Sequence, residues 1–111
     1  MSMKLIVSIV QNDDADHLIT ALRDGGFSST KISTTGGFLR QGNATILIGT
    51  DDANVPSVLD VIKRYCHTRT QYVSPIEPVM ELERLYMYAP LEVEIGGAVI
   101  FCLAVERLVQ F

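Results

Sequence analysis

The chain has 111 residues, with 9 Lys and Arg against 13 Asp and Glu and a formal net charge of −4. An acidic balance argues against a nucleic-acid polymer as partner, because a phosphate backbone is bound by a basic face. The length fits one domain over residues 1–111, and an apolar content of 48% is high for a small monomer, which points to extra surface buried in an oligomer.

Lys4 to Val10 is rich in β-branched residues and predicts a first strand. Gln11-Asn12-Asp13-Asp14 then supplies a turn and a helix N-cap. Ala15, Leu18, Ile19 and Leu22 follow at helical spacing, and Gly25-Gly26 ends the helix. Ser29 to Thr34 predicts a second strand and Ala44 to Gly49 a third. Asp51, Asp52 and Asn54 mark a turn, and Pro56 suits a first helical turn. Val55, Val58, Leu59, Ile62, Tyr65 and Cys66 lie along one face of a second helix. A fourth strand is expected around Thr70 to Val73. Ile76 to Pro90 has no periodicity and is expected to be a long mobile loop. Leu91 to Val105 is a last strand region, interrupted at Gly96-Gly97.

This order is an α+β, ferredoxin-like βαββαβ sandwich with a strand appended. It has long loops between strands 2 and 3 and before the last strand. Both helices then cover one face of the sheet. The other face lacks the polar alternation of a solvated sheet. Ile46, Leu47 and Ile48 are consecutive apolar residues, and Ala98 to Val105 carries no charge. Further copies of the same chain are the expected cover. No apolar run approaches the ~20 residues of a membrane helix, so membrane insertion is not expected. Met1-Ser2-Met3-Lys4 leads straight into the first strand without an export signal, which predicts a cytoplasmic protein. In that setting Cys66 and Cys102 are expected to be two buried thiols.

Ser33 to Asn43 is the segment richest in chemistry. Its Gly36, Gly37 and Gly42 permit close backbone approach to a ligand. Successive N–H groups in such a turn form an anion nest. Arg40 adds a fork suited to phosphate, and Phe38 a face for a base. The bland reading is a surface loop pinned by Phe38. No catalytic set is evident. His17 and His67 do not share a metal-binding spacing, and Asp13, Asp14 and Asp16 read as helix-start residues. Glu92 and Glu94 follow ordinary strand alternation, and Cys66 has Arg64 and His67 nearby but no evident base. No catalytic or metal site is expected.

The chain resembles the PII-like cyclic di-AMP receptor family, relatives of the nitrogen-regulatory PII signalling proteins. The residues that carry the resemblance begin with Ile9-Val10-Gln11, Thr30-Lys31 and the string from Thr34 to Asn43. They continue with Val73-Ser74-Pro75-Ile76, the run Val93 to Ala98, Phe101 and Gln110-Phe111. The resemblance implies a homotrimer that binds cyclic di-AMP between subunits, performs no chemistry, needs no cofactor and relays binding through its long loops to an unidentified protein partner. It places Thr30, Gly37, Phe38, Leu39, Asn43, Gly49, Phe101 and Gln110 in the ligand cleft, with Arg40 beside them. Gly26 and Ser28 stand where the family usually carries Asn and Arg. Other readings are a ferredoxin-like trimer that binds a divalent metal or another nucleotide, and a structural interaction module.

Overall fold

The computed structural model describes residues 2–34, 42–73 and 91–111. Strand β1 runs Met3–Gln11 and passes directly into helix α1, Asn12–Asp24. Strands β2 (Ser29–Thr34) and β3 (Asn43–Asp51) follow, then a single 3-10 turn and helix α2, Val55–Cys66. Strands β4 (Arg69–Val73), β5 (Leu91–Ile95) and β6 (Ala98–Ala104) complete the order.

The Gly25-Gly26 stop signal acts as expected. Phe27 N donates to Leu22 O at 2.8 Å, and Gly26 turns the chain at φ 89°. Pro56 sits in the first turn of α2, where a missing N–H costs nothing. Tyr65 departs from the expected buried face and is 39% exposed, because the core-facing stripe of α2 narrows to Val58, Ile62 and Cys66. Gln11 does not cap α1 through its side chain. It remains in the strand, and its Oε1 accepts a hydrogen bond from Gly96 N at 2.6 Å.

The main sheet is antiparallel in the order β2-β3-β1-β6. This is the ferredoxin-like arrangement, with one correction. The fourth strand of the sheet is β6, beside β1, and not the Thr70–Val73 segment. Strand β4 instead pairs with β5 in a separate two-stranded ribbon. Gly96 and Gly97, at φ 80° and 94°, break the last strand region into β5 and β6. Side chains rarely adopt those angles, so two glycines there turn the chain from ribbon to sheet.

Alternation along the strands gives the sheet two distinct faces. Ile6 and Val10 of β1 and Ala44, Ile46 and Ile48 of β3 are fully buried against Ala15, Leu18 and Leu22 of α1 and Val58, Ile62 and Cys66 of α2. Ser8 shares that face between Ile46 and Ile100, and its hydroxyl has no hydrogen-bond partner among the described residues. Cys66 is buried as expected. Cys102 is not: it lies on the edge strand β6, where one side has no neighbouring strand, and is exposed.

The second face carries Ile32, Leu47, Leu5, Val7, Ile9, Val99, Phe101 and Leu103. Ile32 and Phe101 are each 44% exposed and Leu103 is 50% exposed. The apolar second face inferred from sequence is therefore present. Among the described residues, no helix is long and apolar enough to cross a membrane.

Candidate functional site

The register places several candidate residues on that second face. Thr30 pairs with Leu47, Leu47 with Val7, and Val7 with Phe101, so Thr30 and Phe101 end one row across all four strands. The adjacent row contains Gly49, Leu5 and Leu103. Ser28 stands at the level of Gly49, one step beyond the pairing of Ser29 with Ile48. A Cβ on Gly49 would meet only the Met3 side-chain tip, at 3.8 Å. The space above Gly49 is thus open on the protein side.

Asn43 has the same strand parity as Gly49, but lies at the far end of β3 opposite Gln11, and is nearly buried. Three segments meet there. Asn12 N donates to Gly42 O at 2.9 Å, which fastens the residue following the 35–41 connection to the start of α1. Gln11 reaches across to the Gly96 corner. Gln11, Asn12, Asp13 and Gly42 line a small cavity of about 120 Å³ at this junction. Gly42 is fitted closely, since a Cβ there would stand 2.7 Å from Asn12 Nδ2.

Gly37, Phe38, Leu39 and Arg40 lie outside the described residues, as does the Ile76 to Pro90 segment. Gln110 belongs to the exposed chain after β6. The fold therefore brings Thr30, Gly49 and Phe101 onto one sheet face and sets Asn43 at its end.

Two arrangements were not anticipated. Asp14, read from sequence as a helix-start residue, is buried and paired with Arg69 of β4. Arg69 also donates to His67 O at 3.2 Å. The hydrogen bond to Asp14 raises the Arg69 pKa above its usual value. A strand arginine 55 residues away in sequence gives no local signal of such a pairing. The second is a groove of about 490 Å³ lined by Ile19, Arg23, Gly26, Phe27, Ser28 and Ser29.

Cys66 holds its proton firmly. Burial, reinforced by the Asp14 carboxylate and opposed by Arg69, pushes its pKa up to about 12. A thiol in that state is a poor nucleophile. His67 closes α2, its Nδ1 lying 3.2 Å from Lys63 O, and His17 is exposed. No group of three His, Cys, Asp or Glu residues able to hold a metal occurs among the described residues.

The model of a family described as cyclic-di-AMP receptor matches residues 3–111. The chain belongs to the cyclic-di-AMP receptor family. A protein of unknown function from Pediococcus pentosaceus is similar in structure over 100% of this chain and 99% of its own, with a TM-score of 0.80 and 39% identity. A DUF3240 family protein from Shewanella baltica covers 100% of this chain and 98% of its own, with a TM-score of 0.59 at 18% identity, a likeness of fold alone.

Proposed function

We propose that this receptor-family chain is a non-enzymatic signal-transduction protein that binds cyclic di-AMP between the subunits of a homotrimer. The observation that carries the reading is the row geometry of the second sheet face. Thr30 and Phe101 flank an apolar surface beside the open site at Gly49. An apolar face of this extent is best covered by further copies of the chain, and its margins then become inter-subunit clefts.

In this reading Phe101 and Phe38 offer surfaces to the adenine rings, and Thr30 and Asn43 offer hydrogen bonds. Gly37 and Gly49 admit the ligand close to the backbone. Leu39, Arg40 and Gln110 complete the cleft from the loop and the C-terminal segment. Binding is relayed by rearrangement of the long loops between strands 2 and 3 and before the last strand, which alters the surface shown to a protein partner. The chain acts as one PII-like domain in the cytoplasm, without a cofactor and without catalysis.

Calorimetric titration with cyclic di-AMP, cyclic di-GMP, ATP and AMP, with light scattering on the same sample, tests the reading. Saturable binding of cyclic di-AMP at one site per chain in a trimer is expected. A monomer, or no heat with cyclic di-AMP at high micromolar concentration, would remove it.

A further inference from the structure

The geometry points to Arg23 as a phosphate-binding residue of the same site, a deepening that rests on the reading just proposed. Asp16, Ile19 and Arg23 follow at helical spacing along α1 and form the flank that faces the edge strand β2. The Lys31 Nζ–Asp16 Oδ1 pair at 3.4 Å fixes that relationship at one end. Because α1 and β2 are joined by a tight turn, they run in opposite directions. Moving up the helix from Asp16 thus means moving back along β2 from Lys31, and Arg23 arrives beside Ser28 and Ser29. Its guanidinium has no ion pair or hydrogen bond among the described residues, whereas Arg69 and Lys31 both hold carboxylates.

The surroundings suit a phosphodiester. Arg23 lines the 490 Å³ groove with two hydroxyl residues, Ser28 and Ser29, and with Ile19 and Phe27 as an apolar wall. A Cβ placed on Gly26 would meet nothing within 4 Å, so the turn leaves the groove open. The groove meets the second sheet face at Ser28, which stands level with Gly49 and next to Thr30. A cyclic dinucleotide whose base lies toward Thr30 therefore has a cation and two hydroxyls at the β2 edge for one of its phosphates. The other task of an arginine here is to complement the C-terminal end of the α1 dipole. That task affects the stability of the free protein and does not require a ligand.

The test is titration of cyclic di-AMP into the full chain and its Arg23→Ala and Arg23→Lys variants, with thermal melting of each free protein. Loss of a charge-assisted hydrogen bond predicts about ten- to a hundredfold weaker binding for Arg23→Ala. Arg23→Lys should recover part of the loss, and the melting temperatures should stay close to wild type. Salt dependence of affinity should be shallower in Arg23→Ala than in wild type. Wild-type binding with Arg23→Ala within twofold of it would overturn the Arg23 role alone. Equal weakening in both variants accompanied by lower melting would also overturn it, in favour of a structural role. Absence of binding by the wild type would overturn the reading of the site, and this inference with it.

Discussion

Arg69 Nη2 donates to Asp14 Oδ1 at 2.8 Å, joining the β4–β5 ribbon to the first turn of α1 across 55 residues of chain. The Asp14 side chain is 7% exposed and that of Arg69 35%. Removing the arginine leaves a desolvated carboxylate without its cation, which is worse than removing both charges. Arg69→Met should cost about 2–4 kcal/mol in urea unfolding. The Asp14→Asn, Arg69→Met double variant should recover part of that loss. A double-mutant cycle with no coupling would show the pair to be energetically idle.

Gly96 and Gly26 both sit at positive φ but should differ in their tolerance of alanine. At Gly96 a Cβ would lie 2.5 Å from His67 O and 2.5 Å from Arg69 Nη1. A backbone carbonyl yields little, so Gly96→Ala combines conformational strain with overlap and should cost on the order of 3 kcal/mol. At Gly26 only the φ of 89° opposes a side chain, and Gly26→Ala should cost about 1 kcal/mol. Equal melting temperatures for the two variants would refute this difference.

The pKa of Cys66 sets a pH window for stability. The unfolded thiol titrates near 9.0, and the folded one keeps its proton to about 12. Between those values the unfolded state is the one that releases a proton. The contribution is therefore complete below pH 9.0 and is lost as pH rises toward 12. The expected slope is about 1.4 kcal/mol per pH unit. Cys66→Ala will lower stability at every pH by leaving a cavity, so the comparison concerns slope. The variant's alkaline decline should be shallower than that of wild type. A parallel decline would show that Cys66 ionises as readily folded as unfolded.

Much of the main sheet was legible in sequence because its signals are local. Lys4 to Val10 and Ala44 to Gly49 carry β-branched runs, and Gly25-Gly26 and Pro56 punctuate the helices as their backbone chemistry requires. The apolar second face was legible because Ala98 to Val105 has no charge to present to water. The strand partners were not. Whether β4 or β6 sits beside β1 is decided by the Gly96-Gly97 corner and by Arg69 reaching Asp14, both long-range matters. Gln11 shows the same limit: it opens the Gln11–Asp14 cluster that marks a helix start, yet its amide serves a corner 85 residues away. For the site, Thr30, Gly49 and Phe101 entered only through family resemblance. A lone threonine, glycine and phenylalanine have no distinctive spacing until the register aligns them. Arg23 has no distinguishing signal in the sequence, and only the packing of α1 along β2 gives this last-turn cation a groove.

The second face predicts a specific failure of assembly. Leu103 is half exposed on β6, in the row that contains Gly49 and Leu5. A carboxylate there remains solvated in the isolated chain but is desolvated in an interface. Leu103→Glu should leave the circular dichroism spectrum of the fold unchanged. If the proposed homotrimer is assembled through this face, the variant should reduce the mass in light scattering from that of the assembly to the 12.2 kDa of one chain. Retention of the full assembly by Leu103→Glu would show that this face is not its contact surface.

Gly49 separates the needs of the fold from those of the ligand. An added methyl finds only ordinary contact with Met3 Cε at 3.8 Å, and the position needs no positive φ. Gly49→Ala should therefore fold with a melting temperature at or slightly above wild type, since alanine limits the unfolded chain more than glycine does. The methyl nevertheless occupies the open face beside Thr30 and Ser28, where the ligand is proposed to approach. Cyclic di-AMP should bind Gly49→Ala about tenfold more weakly, in keeping with about 1–3 kcal/mol of overpacking in a close-fitting site. Gly49→Val should bind still more weakly while remaining folded. If both variants keep the wild-type affinity, the ligand does not pass over Gly49, and the cleft must lie beyond this row of the sheet.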